Sequence, residues 1–378
     1  MAEEARWAEQ ANRQREAARA SYQAQQQRMR LGRWVGIAIC AAGLVAWWAL
    51  YKRYHHKPEL PAFLEMTSEI PEQTPPALLA YLLQSRQISG AALVGTMLDL
   101  ARRGLLVLRE ETEEVKAFWG GTKQKTTYYW DLNRSSWEQH EPRMHDFENA
   151  LVGFIFDDLA EGADTISIER IKRKRSEFIK FFRLWKKRVE KHAKDKHWFD
   201  TESIKGMYYS LAVAGVIIVV ALLSILLFRA WAMISLAGGC AVLILSFLIP
   251  HRTAEGETKA RHWKAVRKYL QKYEFRTADR QSLLARISDY LVYGVVLGLS
   301  TKLYNELATY IPERAHGTYV PWYVYHGGTG GFSPTAFGDA FSSMVATTTS
   351  AMSTAAGTGG GASGGGGGGA SSGGGGAG

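Results

Sequence analysis

The stretch LLFRAWAM, Leu226 to Met233, places a single charge, Arg229, inside some forty residues that are otherwise almost wholly apolar. Read as one helix, those residues would rise roughly 60 Å at about 1.5 Å per residue, twice the roughly 30 Å of a bilayer's hydrocarbon core. Arg229 would then sit near the centre, at a cost of about 2.5–3.5 kcal/mol and with no acidic partner in reach. Two helices meeting at a turn remove both difficulties. The spacing therefore predicts a helical hairpin, Ser210–Phe228 followed by Ala230–Pro250, with Arg229 and Trp231 at the headgroup level.

A third apolar run lies upstream. WVGIAICAAGLVAWWALY, Trp34 to Tyr51, has eighteen uncharged residues with aromatic rings toward its ends, where amphipathic side chains favour the membrane interface. The fold class this implies is a mainly α integral membrane protein with three transmembrane helices. Before the first of them, residues 1–33 are polar and partly acidic, unlike the short basic start and brief apolar core of a cleavable signal.

Charge sets the expected orientation. The chain carries a formal net charge of +10, and residues 170–206 hold fourteen Lys/Arg against five Asp/Glu, nearly the whole excess. Cations stay on the cytoplasmic side of spans, so the flanks of the hairpin, and with them residues 60–206 and 251–326, are expected in the cytoplasm of a cell-membrane protein. Parity puts residues 1–33 outside.

Within 60–206, PPALLAYLLQ predicts a helix with proline at its start. A second helix follows from Ser89, which can cap it, to a stop at Gly104. LLVLRE (105–110) and KTTYYWDL (125–132) then read as paired strands. Helix, helix, strand pair is the order of a winged-helix-like α+β domain. A DNA-reading version would need polar and basic groups along the second helix, and Ser89–Gly104 has only Arg102 and Arg103, both at its C-terminal end. Next, RMHDFENALVGFIFDDL (143–159) has helical spacing, TISIERIK reads as a short strand or turn, and a basic helix of roughly 170–195 carries Phe178, Phe181, Phe182, Trp185 and Val189 on one stripe. Its cations, Lys172, Arg173, Lys174, Arg175, Lys186, Lys187 and Arg188, are the expected contact for anionic membrane lipid. The same helix could instead pack its aromatics on the domain and leave a solvated charged face.

Beyond the hairpin, Trp263, Val266 and Leu270 share a helical face, and YLVYGVVLGLS (290–300) is too short to cross a bilayer and reads as a buried or interfacial helix. From Gly327 onward there are twenty glycines in fifty-two residues and one charge, Asp339, so residues 327–378 are expected to be a disordered tail.

Chemistry is sparse. Cys40 and Cys240 lie apart in apolar runs and supply neither a disulfide framework nor a cysteine zinc site. In HEPRMH (140–145) the histidines are five apart, about 140° round a helix rather than on one face, with Pro142 between them. GASGG (361–365) lacks the strand and helix a nucleophile elbow needs. No catalytic, cofactor or metal residue is therefore expected.

The order of these pieces resembles a bacterial family of membrane proteins catalogued as domain of unknown function 2207. The most specific parts are MLDLARRGLL (97–106), the EGE of 255–257 with Trp263 and Tyr269-Leu270, and YLVYGVVLGL (290–299). Members usually carry a signal peptide and a β-rich extracytoplasmic domain ahead of the first span, where this chain has a polar segment of about thirty residues. The resemblance implies an extracytoplasmic N-terminus and a cytoplasmic central domain, and no catalytic residues. The expected function is a non-enzymatic, membrane-anchored interaction or scaffold protein, with membrane lipid and an unidentified protein as partners. The alternative is a membrane-tethered winged-helix DNA-binding regulator.

Overall fold

A computed structural model describes residues 2–56, 58, 65–116, 122–228, 232–272, 279–327 and 333–355. In chain order the elements are α1 (Ala2–Tyr54), α2 (Pro76–Leu83), α3 (Gly90–Arg102), β1 (Leu106–Lys116), β2 (Thr122–Leu132), α4 (Arg134–His140), α5 (Asp146–Val152), β3 (Thr165–Ser167), α6 (Ile168–Arg173), α7 (Arg175–Asp195), α8 (Thr201–Phe228) and α9 (Ala232–Ser246). There follow α10 (Ala254–Gln271), α11 (Arg280–Leu297), α12 (Thr301–Ala308), α13 (His316–Tyr319), β4 (Tyr323–Gly327) and α14 (Pro334–Ala355). Two compact units result. One comprises Met1–Leu64 and Ala193–His262, the other Glu65–His192 and Trp263–Gly378.

The first unit is a bundle of α1, α8 and α9. α1 is continuous over Ala2–Tyr54, so the polar segment and the first apolar run form one helix; Ala, Glu, Gln and Arg in residues 2–30 all favour that state. The two helices of the bundle long and apolar enough to cross a membrane cover Arg30–Tyr54 and Thr201–Ser224. α9 is shorter than the run expected over 230–250 because its coil tightens at the end. Phe247, Leu248 and Ile249 donate to Ile244, Leu245 and Ser246, three residues back, before Pro250 stops it. The expected turn residues, Arg229 and Trp231, lie outside the described residues, but α8 and α9 are separate helices on either side of them.

Their pairing is antiparallel. Ser210 meets Ser246 at 2.6 Å, Ala214 clusters with Val242, and Ile217 and Ile218 meet Gly239, so partners on α9 recede as those on α8 advance. Ser246 donates to the Val242 carbonyl at 2.7 Å, which leaves its oxygen to accept from Ser210. Glycine makes these approaches possible. A Cβ on Gly238 would come within 2.9 Å of the Cys40 Cβ, and one on Gly239 within 2.7 Å of Ile218. Close packing of small residues and an interhelical hydrogen bond thus join α8 to its neighbours. The outer surface is the reverse. Trp34, Val45, Val216, Leu223, Met233 and Ile244 all face outward, from all three helices.

The ends of the hairpin are clasped by backbone. Asp200 N–H donates to the His251 carbonyl at 3.1 Å, Thr253 N–H to the Trp198 carbonyl at 3.0 Å, and Phe199 bridges antiparallel to Arg252. The Thr253 hydroxyl donates to the His197 carbonyl at 3.0 Å and accepts from Gly256 N–H at 3.2 Å. Gly256, the centre of the EGE motif, cannot carry a side chain here. Its Cβ would overlap the carbonyl oxygen of Trp198, a backbone atom with nowhere to go.

In the second unit α2, α3, β1 and β2 appear in the order expected. Pro75 and Pro76 open α2. Ser89 stands at the N-cap of α3, yet its side chain makes no capping bond. Gly104, at φ +79°, turns the chain out of α3 as expected. The sheet has order β3-β2-β1-β4, with β4 parallel to β1, pairing Leu108 with Tyr323. Leu106, Leu108, Trp130 and Leu132 form its buried face. Glu110 shares that face and accepts from the Tyr323 hydroxyl. The 290–300 run is buried as the second half of α11, and the Trp263 ring lies 4.6 Å from that of Tyr293. The disordered tail expected from Gly327 requires correction. Residues 334–355 are helix α14, whose Phe337, Phe341 and Met344 recur at helical spacing and are buried; the glycine tract from 356 lies outside the described residues.

The clasp yields a test. Gly256→Ala should lower the thermal midpoint of the detergent-solubilised protein, at a cost of about 1–3 kcal/mol as for overpacking in general. Gly215→Ala, where a Cβ meets open space, should leave it in place.

Candidate functional site

Two groups of polar side chains stand out from this framework. The first lies in the bundle unit, where α1 ends and α8 begins. His55, one residue past α1, donates through Nδ1 to the Ile249 carbonyl at 3.1 Å and stacks on Tyr51, ring centroids 4.6 Å apart. The His251 ring meets it edge-on at 5.5 Å, and His251 Nε2 lies 3.7 Å from Asp200 Oδ2. Asp200 is also the cap of α8, accepting from Ser203 N–H at 2.8 Å. The Ser203 hydroxyl donates to the Asp200 carbonyl at 2.7 Å and accepts from His251 N–H at 3.2 Å. Close by, Arg252 pairs with Glu257 at 3.0 Å.

The group could pass for a Ser-His-Asp constellation by composition alone, and the geometry argues otherwise. Ser203 spends its hydroxyl hydrogen on a backbone carbonyl, and no nitrogen of His251 addresses its oxygen except the backbone N–H. Among the described residues no three His, Cys, Asp or Glu side chains are arranged to hold a metal ion. What the group can do is respond to protons. Burial pushes His251 below its ordinary value, Asp200 opposes that shift, and the nearby His55 and His56 add to it.

The second group is the basic segment, in the other unit. α6 and α7 turn their apolar side inward. Phe178, Phe182, Trp185 and Val189 are buried, Phe181 stacks on Phe154 at 3.9 Å, and Trp185 Nε1 donates to the Phe147 carbonyl at 2.8 Å. Burial of each large side chain is worth about 1.5–3 kcal/mol, so this face is committed to the domain core.

The seven cations expected to meet lipid are accordingly divided. Lys174 pairs with Glu161 at 3.2 Å, Arg188 approaches Asp146 at 3.7 Å, and Lys186 lies over the Phe182 ring. Lys172, Arg173, Arg175 and Lys187 are exposed. The sequence reading passed over Lys180, Arg183 and Lys191, which are exposed on the side of α7 opposite its aromatic stripe. Their spacing from that stripe was the available signal. The histidine group had no local sequence signal, since its members come from positions 55, 200 and 251.

A partly buried ionic network organises the domain unit. Asp99 of α3 accepts from Arg102 at 2.7 Å and from Arg103 at 3.1 Å. Arg102 reaches Asp289 of α11 at 3.2 Å, and Arg103 the fully buried Glu148 of α5 at 2.5 Å. These arginines belong to MLDLARRGLL, and their work is to tie α3 to its neighbours. α3 itself is covered from Ala92 to Ala101, so it presents no polar face to a DNA groove.

Because His251 is held below its ordinary value, the unfolded chain binds its proton more readily. Stability should therefore be full above the ordinary histidine range and fall as pH drops through it. Scanning from about pH 7.5 to about pH 5.5, across the unperturbed value near 6.5, should lower the thermal midpoint, and His251→Gln should flatten that part of the profile. An unchanged profile would remove His251 as the cause.

Residues 62–307 match the family model described as the C-terminal domain of predicted membrane protein DUF2207. No curated protein and no solved structure matches the chain.

Proposed function

The chain belongs to the family of predicted membrane proteins of unknown function DUF2207, and from that membership we propose that it is a multi-pass, non-enzymatic anchor. On this reading it holds a winged-helix-like α+β domain at the cytoplasmic side of the cell membrane, for contact with a protein partner. The observation that carries the reading is the inverted bundle. Gly43, Ala214, Gly238, Gly239 and the Ser210–Ser246 pair let α1, α8 and α9 approach closely beside Ile217 and Val242, while valine, leucine, isoleucine and tryptophan cover the outside. Water would penalise that arrangement and lipid favours it.

α9 is included as the third crossing. Its outward Met233, Leu243 and Ile244 match the outer surfaces of α1 and α8, so one medium suits all three. Fifteen α-helical residues at about 1.5 Å, with the tightened coil to Ile249 at about 2 Å each, reach roughly 28 Å. Orientation follows the cations. Lys52 and Arg53 end α1, and the basic segment and Arg252 flank the hairpin.

An interaction domain suits a unit whose buried acids are spent on its own fold. Asp99, Glu148 and Glu110 are buried and engaged, which leaves them no part in a reaction. The DNA-binding alternative would require an exposed recognition helix, and α3 is covered.

Topology can be tested with single cysteines in a background where Cys40 and Cys240 are alanine. An impermeant maleimide should label Ser21→Cys on intact cells, and Ser176→Cys and Lys302→Cys only after permeabilisation. Labelling of position 176 on intact cells would refute the orientation. An electrophoretic shift with random duplex, if it survived high salt, would favour the regulator instead.

A further inference from the structure

The outward face of α7 carries a cationic stripe with no ion-pair partner among the described residues. Lys180, Arg183, Lys187 and Lys191 follow one another at steps of three, four and four residues, so they line one side of the helix over roughly 16 Å. All four are exposed, and among the described residues none makes an ion pair. Of the acids of α7, Glu177 stands three residues before Lys180 and Asp195 four after Lys191, at the two ends of the stripe, and Glu190 lies beside it. At its centre stands Leu184, 59% exposed, the one large apolar side chain the helix leaves outside.

We propose that this stripe is a docking surface for the anionic headgroups of the membrane in which α8 is anchored. The inference rests on the reading of α8 as a membrane crossing, and names the lipid that the domain beside it would select. Three observations point to a bilayer rather than to nucleic acid, the other polyanion the charge could suit. Only nine residues separate Lys191 from Thr201, where α8 begins, so the stripe is tethered to the membrane by a short piece of chain. Leu184 in the middle of the cations has an apolar acyl boundary to enter at a bilayer, and no equivalent along a phosphate backbone. The aromatic rings that would stack on unpaired bases, Phe178, Phe182 and Trp185, are buried, and Phe181 is stacked on Phe154.

The contact differs from that of an interfacial amphipathic helix. Its apolar side is already occupied by the domain, so α7 would rest on the surface by charge, with a single leucine reaching inward. Salt should weaken it, because exposed charges are screened beyond about 3 Å at 1 M ionic strength.

The full-length protein can be placed in nanodiscs of phosphatidylcholine alone or mixed with phosphatidylglycerol, and its lysines acylated and quantified by mass spectrometry. Lys180, Lys187 and Lys191 should react several-fold more slowly in the anionic discs, with high salt restoring the rate. Leu184→Asp should abolish part of that protection without altering the thermal midpoint, since the side chain it replaces is outside the core. Equal reactivity in both lipids would overturn the inference, as would protection that arises in neutral discs only when duplex DNA or RNA is added. Release of the protein from neutral vesicles by an alkaline wash would overturn the membrane crossing as well. Protein retained there with its lysines unprotected would overturn the docking surface alone.

Discussion

The pairing of residues 197–200 with 251–253 sets the register on which the bundle depends. On the proposed reading, in which the bundle lies in hydrocarbon, its helices gain nothing from hiding apolar surface from one another, and their relative position comes from shape and hydrogen bonds. α8 and α9 meet through Ser210 with Ser246, Ala214 with Val242 and Ile217 with Gly239. A slip of one residue would turn Ile217 toward another position and separate the two serines. The backbone bonds from Asp200 to His251 and from Thr253 to Trp198 fix the two ends of the hairpin against each other. Asp200 then serves twice, capping α8 and facing the His251 ring. Any proton taken up at His251 is therefore felt at the start of α8.

The three sequence pieces that carry the family resemblance turn out to be structural joints. MLDLARRGLL supplies Asp99, Arg102 and Arg103, which bind α3 to α5 and α11 through Glu148 and Asp289. The EGE supplies the glycine that lets α10 begin against the Trp198 carbonyl, and Glu257, which pairs with Arg252. YLVYGVVLGL supplies Tyr293 for Trp263, and also Val296, which would collide with any side chain at Gly95. Buried ion pairs of this kind contribute little net stability against apolar replacements, while removal of one partner strands the other at a cost of about 3–5 kcal/mol. Motifs made of such residues restrict which helices can meet, which is a requirement of the fold whatever the domain does.

Much of the architecture was legible because periodicity and special residues agreed. Proline at the start of α2, Gly104 past α3 and the alternation of 105–110 and 125–132 each marked an element the structure contains. β4 and α14 were hidden by averaging. YVYHG is short and lies against a glycine-rich stretch, and Phe337, Phe341 and Met344 were diluted by the glycines counted with them. The length of α9 was overestimated because composition does not register the change from four-residue to three-residue hydrogen bonding near Pro250. At the sites the limit is different in kind. His55, Asp200 and His251 meet only when α1 and the hairpin are assembled, so no window of sequence contains them together.

The basic helix shows how one periodic pattern can serve two media. A stripe of Phe178, Phe182, Trp185 and Val189 opposite a run of cations, close to a span, is the composition of a helix that floats at the bilayer surface. Phe147, Phe154 and the rest of the domain core meet that stripe first, and in folded domains such burial holds the helix as firmly as lipid could. Once the aromatics are withdrawn, acids on neighbouring elements decide which cations remain. Glu161 takes Arg170 and Lys174, and Asp146 approaches Arg188. On the outward side of α7 the row from Lys180 to Lys191 remains, beside the exposed Lys172, Arg173, Lys194 and Lys196 toward the ends of the segment. A helix with its apolar face spent and its outward cations aligned offers charge alone, and that is the basis on which contact with anionic headgroups is proposed.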